Sequence, residues 1–225
     1  MTFPEHGSGL TAIYPFLYTD VESDRAAVLE QVRASTAAKA AEIVQLRRTI
    51  AATEQRALIA CARAMAFRFS AGGRLFVFGN GGSSTDAQQV ATAFLHPARG
   101  RPLPALALTS DIAVVTALSN DIGFEVVFAR QLAAFGRRAD IALGLSTSGG
   151  SENLLRAYAE AERIGMLRVG LVGAPGGRMA ESGAIDALFV VPSASVHRVQ
   201  EAQTTIYHLL GELVRRALEP EEDST

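Results

Sequence analysis

Apolar positions recur at helical spacing through the first third of the chain and in short β-branched runs afterwards. The period changes at Gly72-Gly73. Between residues 20 and 70, Leu29, Val32, Ile43, Val44, Leu46 and Ile50 fit a 3.6-residue stripe, with Arg25, Lys39, Glu42 and Arg47 between them. From Thr53, read as an N-cap, the set Ala57, Leu58, Cys61, Met65 and Phe69 continues on one face. Two helices are predicted, stopped by the glycine pair. Strand signals then fall at Leu75–Phe78, Ala105–Leu108, Ile141–Leu145, Arg168–Val172 and Leu188–Val191. Helical stretches fall at Asp86–Leu95, Asp111–Leu118, Gly123–Ala134, Glu152–Ile164, near Met179, and at 197–218. This alternation predicts an α/β fold, a five-stranded parallel sheet flanked by helices on both faces, with an N-terminal helical extension. Residues 1–19 read as an irregular arm, 20–72 as the helical segment, 73–218 as the α/β domain and 219–225 as an acidic tail.

Composition adds boundaries. Of 225 residues, 48% are hydrophobic and 20% charged, which is a globular balance, and the net charge of −2 argues against a dedicated nucleic-acid binder. No run reads as a membrane span or a secretion leader. The single cysteine, Cys61, has no partner for a bridge; it reads as a buried packing residue and fits a cytoplasmic protein.

Two loops carry candidate chemistry. The run Ile141–Leu145 leads into Ser146-Thr147-Ser148-Gly149-Gly150-Ser151 and then an amphipathic helix. At a strand–turn–helix junction the first helical N–H groups lack partners and favour an anion, while glycines let the backbone approach and hydroxyls add donors. The loop holds no lysine or arginine, so the cradle is neutral. An ordinary turn with a serine N-cap has the same composition. A second such turn, Gly79-Asn80-Gly81-Gly82-Ser83-Ser84, follows the first strand. It fails the dinucleotide fingerprint at Ser84 and lacks the Gly-Lys-Ser/Thr ending of a phosphate-binding NTPase loop. Two hydroxyl-and-glycine turns at strand ends suit one polyol-phosphate site better than a nucleotide.

Gly79-Asn80-Gly81-Gly82-Ser83, Ser119-Asn120-Asp121, the Ser146–Ser151 loop and Arg198-Val199-Gln200-Glu201 stand in the order found in sugar isomerase (SIS) domain proteins. From Ile43 to Leu218 the chain most resembles phosphoheptose (sedoheptulose 7-phosphate) isomerases. The resemblance implies a flavodoxin-like SIS fold, a sugar-phosphate ligand, and N-terminal helices that bundle in a homotetramer or dimer. It also implies substrate binding by Asn80, Gly81, Gly82, Ser83, Asn120, Asp121, Ser146, Thr147, Ser148, Ser151 and Gln200, with His208 as the catalytic candidate. The family's helix after the first loop supplies a histidine and a catalytic glutamate, which with a glutamine and a histidine of the last helix can hold zinc. Here those first two positions are Gln89 and Ala93, so no zinc or other cofactor is expected. His96, one turn on, and Glu201 are the other candidate bases; Asp86 reads as a capping carboxylate. The alternatives are an isomerase with a rearranged base and a non-catalytic SIS protein acting on a protein partner. A nucleotide-sugar or dinucleotide enzyme is disfavoured by the failed fingerprints.

Overall fold

The computed structural model describes residues 25–219, so the arm read over 1–19 and residues 220–225 of the tail lie outside the described residues. The chain divides into two units, Met1–Glu42 and Ile43–Thr225. Helix α1 runs Arg25–Thr53. In the first unit its Val28, Leu29 and Val32 are exposed, whereas in the second its Leu46 and Ile50 are buried in the core. The expected cap at Thr53 is not formed. Its hydroxyl donates back to the Thr49 carbonyl, which continues α1, and α2 (Gln55–Ser70) starts after Glu54 with no side-chain cap.

The α/β part holds β1 (Leu75–Gly79), α3 (Gly82–Leu95), β2 (Ala105–Ala107), α4 (Ile112–Asp121), a 3₁₀ turn (Phe124–Val126) and α5 (Val127–Phe135). Then come β3 (Ile141–Ser146), α6 (Glu152–Ile164), β4 (Leu167–Gly173), α7 (Gly177–Glu181), β5 (Ala187–Val191) and α8 (Val196–Leu218). The strands form one parallel sheet in the order β2-β1-β3-β4-β5, with β1 and β3 in register from Leu75↔Ile141 to Gly79↔Leu145. Two helix starts differ from expectation. α3 begins at Gly82 inside the glycine loop, and the stretch read as one helix from Gly123 breaks into the 3₁₀ turn and α5.

Successive strand residues point to opposite faces, and the core divides accordingly. Leu75, Val77, Leu143 and Leu171 pack with α2, α3 and α8 through Leu58, Met65, Phe94 and Leu210. Phe76, Phe78, Ala142 and Val172 pack with α5, α6 and α7 through Phe128, Tyr158 and Met179. Cys61 lies in the first of these layers, where burial pushes its thiol up to about 12 and leaves it a packing residue.

Candidate functional site

In this strand order the chain leaves β1 for β2 at one edge and later builds β3 on the other side of β1. Helix α3 covers one face and α6 the other, so the loops after β1 and β3 diverge and open a crevice at the carboxyl ends of neighbouring strands. Both sequence-predicted loops stand here.

The loop after β3 is tightly organised. Gly149 has φ +68°, and a Cβ there would lie 2.0 Å from the Gly176 carbonyl, so only glycine fits. Buried Ser146 accepts the Gly149 N–H at 2.9 Å, so this hydroxyl shapes the turn. Thr147 is half-buried, Ser148 exposed and Ser151 half-buried. Ser151 occupies the N-cap position of α6 without a capping side-chain bond. Charge reaches the rim from a distant element: Glu152 of the first α6 turn pairs with Arg178 of α7 at 2.8 Å and with Arg156 at 3.0 Å. Arg178 first, then Arg156, holds the Glu152 carboxyl below its ordinary value.

Three ties join the two loops and the last helix. Asn80 and Asn153 exchange amide hydrogen bonds at 2.9 and 2.8 Å. Gln203, wholly buried on α8, donates to the Ser146 carbonyl at 2.9 Å. Gln200 lies against Gly82, where an added Cβ would come within 2.2 Å of its Nε2. Asn80, Gly82, Ser146 and Gln200 are thus gathered in one place, with Gly81 and buried Ser83 adjoining them at the start of α3.

From there α3 and α8 run side by side in parallel. Gly82 meets Gln200, and Tyr207 donates to Gln89 Oε1 at 3.0 Å, the same separation of 118 residues in sequence. Gly82, Asp86, Gln89 and Ala93 fall on one stripe of α3, facing the Gln200, Thr204, Tyr207 and Gly211 stripe of α8. Asp86 is therefore no cap. It is the fifth residue of α3, its Oδ2 is buried without a hydrogen-bond partner, and burial pushes its carboxyl up. Burial likewise pushes the Tyr207 phenol up, with the Asp86 charge adding to it.

At the far end of this seam Ala93, His96, His208, Arg99 and Arg215 line a cavity of about 860 Å³. His96 caps the C-terminus of α3, its N–H bonding the Thr92 carbonyl at 2.7 Å. His208 is exposed, its ring 4.8 Å from that of Tyr207. The four positions to which the resemblance assigns zinc do not fit that ion here. Ala93 has no donor, the oxygen of Gln89 is taken by Tyr207, and Gln200 and His208 alone supply two ligands. Among the described residues no cluster of three or more His, Cys, Asp or Glu is arranged for a metal. Glu201 is committed to an ion pair with Arg198.

Asn120 and Asp121 stand apart from these ties. They occupy the exposed last turn of α4, where Asn120 donates to Asp121 at 2.9 Å. Asn153, Gln203 and Tyr207 were not singled out from sequence. Each is an ordinary polar or aromatic residue of an amphipathic helix, and no local spacing marks it.

The SIS domain family model matches residues 40–173. The phosphoheptose isomerase of Roseiflexus sp. is 40% identical over 193 residues, 85% of this chain and 93% of its own length. That of Pelodictyon phaeoclathratiforme is 44% identical over 179 residues, 77% and 84% of the two chains. Among solved structures, the phosphoheptose isomerase of Neisseria gonorrhoeae superposes with a TM-score of 0.76 at 31% identity, covering 81% of this chain and 98% of that one. The Francisella tularensis enzyme gives 0.76 at 33% identity, covering 84% and 98%.

Proposed function

The chain belongs to the SIS domain family, and from that premise we propose that it binds a sugar phosphate in the β1/β3 crevice without turning it over as its isomerase relatives do. The observation that carries the reading is the Asn80–Asn153 amide pair, which couples the two glycine-and-hydroxyl turns into one concave site. The phosphate lies at the Ser146–Ser151 turn and the N-terminus of α6, with Thr147, Ser148 and Ser151 as donors. Asn80, Gly81, Gly82, Ser83 and Gln200 hold the polyol; Asn120 and Asp121 are candidate hydroxyl ligands by family resemblance. His208 would face the reacting end, but Ala93 supplies no base beside it. The protein acts in the cytoplasm as a homotetramer or dimer; the exposed apolar residues of α1 and α4, Leu29, Val32 and Ile112, support the assembly. The same surfaces favour a second reading, in which the oligomer presents the liganded site to a protein partner.

The test is a thermal-shift titration with sedoheptulose 7-phosphate and with free sedoheptulose. Ligand bound to the native state raises Tm by mass action. The phosphorylated sugar should raise it and the free sugar should not, and Ser148→Ala with Ser151→Ala should abolish the shift. Equal shifts from both sugars would sink the phosphate cradle.

A further inference from the structure

One turn beyond the Gln89–Tyr207 contact, the same 118-residue register sets Ala93 level with Gly211, so neither helix puts a long side chain there. Arg215 of α8 turns back into that gap. Its Nη2 lies 3.1 Å from where a Cβ on Gly211 would stand, and its Nη1 lies 3.5 Å from the Ala93 carbonyl oxygen. The stem passes Gly100, where an added Cβ would come within 3.2 Å of Cδ, and Cζ stands 5.9 Å from the Phe94 ring centroid. A guanidinium so held calls for an anion. The Ala93 contact is longer than a good hydrogen bond, and among the described residues the Arg215 side chain has no other acceptor. Burial pulls the half-buried Arg215 guanidinium below its ordinary value, with the Glu212 charge opposing. A partly desolvated charge without a counter-ion is unfavourable. Arg99, Arg216, His96 and His208 line the same cavity of about 860 Å³, which holds the carboxylates of Glu212 and Glu219 as well. Among the described residues none of its three arginines is ion-paired.

Resting on the phosphosugar reading above, we propose that Arg215 binds a carboxylate at the end of the ligand opposite its phosphate, so that the ligand class is a phosphorylated sugar acid. A guanidinium grips a carboxylate through two parallel N–H donors, which a neutral hydroxyl cannot match. His208, on the same cavity wall, adds an imidazole N–H. The place where the resemblance puts a negatively charged base thus holds a methyl group with a fixed positive charge beside it. A sugar acid offers no aldehyde to isomerise, which agrees with Ala93 supplying no base. As a cap for the end of α3 alone, Arg215 would use one donor and leave the cavity's other cations without a role.

The experiment is calorimetric titration of the full chain with 6-phosphogluconate and with glucitol 6-phosphate. The two share carbon chain and phosphate and differ in a carboxylate against a hydroxymethyl group. The natural protein should bind the acid about 10- to 100-fold more tightly, the range for hydrogen bonds to a charged group. Arg215→Gln should bring the acid down to the level of glucitol 6-phosphate and leave the latter within about twofold. Arg215→Lys, which keeps the charge and loses the fork, should recover part of the preference. Equal binding of the two ligands by the natural protein overturns the inference while leaving the phosphate cradle standing. A preference for the acid that survives in Arg215→Gln overturns the role of Arg215. Equal losses for both ligands in Arg215→Gln and Arg215→Lys make the residue structural and overturn it too. A natural protein that binds neither ligand overturns the site reading, and this inference with it.

Discussion

Asn80 and Asn153 donate to one another across 73 residues of sequence, Nδ2 to Oδ1 in both directions at 2.9 and 2.8 Å. Each side-chain amide offers a donor and an acceptor, and the pair satisfies one of each on both partners. Asn153 is almost wholly buried, so the bond forms in a setting where an unpaired amide is costly. It fixes the loop after β1 to the helix that follows the loop after β3.

Asn153→Ala should therefore act on stability and binding together. Leaving the Asn80 amide without its partner costs about 1–3 kcal/mol, read as a fall in Tm of several degrees. The sedoheptulose 7-phosphate shift should shrink as the two turns lose their mutual registration. Asn153→Asp keeps the acceptor but not the donor and should fall between. An Asn153→Ala protein melting with the natural one would show that the pair is incidental.

Catalysis is tested at Gln89 and Ala93. Loss of a general base lowers rates about 10²–10⁴-fold, so the natural protein should isomerise sedoheptulose 7-phosphate at least that much more slowly than a relative holding the glutamate. The double change Gln89→His with Ala93→Glu should take up one zinc per chain, with Gln200 and His208 completing the set, as metal analysis after dialysis would report. Fast turnover by the natural protein in the presence of a chelator would contradict this. His96→Ala would then be the first variant to assay, because His96 shares a cavity with Ala93 and His208 while Glu201 is paired with Arg198.

Acidification tests the burial of Asp86. Burial raises its folded-state pKa above the ordinary 3.8, so the folded protein holds the proton more tightly than the unfolded chain. Stability from this group is then present below 3.8 and lost as pH rises through its raised folded-state value. Asp86→Asn should be the more stable protein at pH 7, with its advantage fading as pH falls through the carboxylate range. A variant less stable than the natural protein at pH 7 would mean that the carboxylate has a structural partner.

Light scattering should give a tetramer or dimer mass at micromolar concentration. Leu29 and Val32 of α1 are 60% and 56% exposed, a stripe of apolar surface that water disfavours. Leu29→Glu with Val32→Glu should lower the assembled mass. A monomer mass for the natural protein would remove the oligomer from the proposal.

Alternation of β-branched runs with amphipathic stretches was enough to find the sheet. All five strands lie within two residues of where the pattern puts them, and α6 coincides with its predicted range. Periodicity reads well here because a parallel strand buried on both faces is apolar throughout, and a covering helix is apolar on one side. Boundaries read less well where a side chain has two local options. Thr53 bonded backwards rather than capping, and Asp86 fell inside a helix that starts in the glycine loop itself.

The two loops were legible because their chemistry is contiguous: glycine, serine and threonine in a row after a strand announce a turn whose backbone can meet an anion. What joins them was not. Asn80 with Asn153, Ser146 with Gln203, Gln89 with Tyr207 and Glu152 with Arg178 are pairs whose members belong to different elements. A residue's own neighbours in sequence fix its backbone preference, and that much the chain alone determined. Which distant residue occupies its remaining hydrogen-bond capacity depends on strand order and helix register. These follow from packing the whole core, so only the tertiary structure decided the shape of the site.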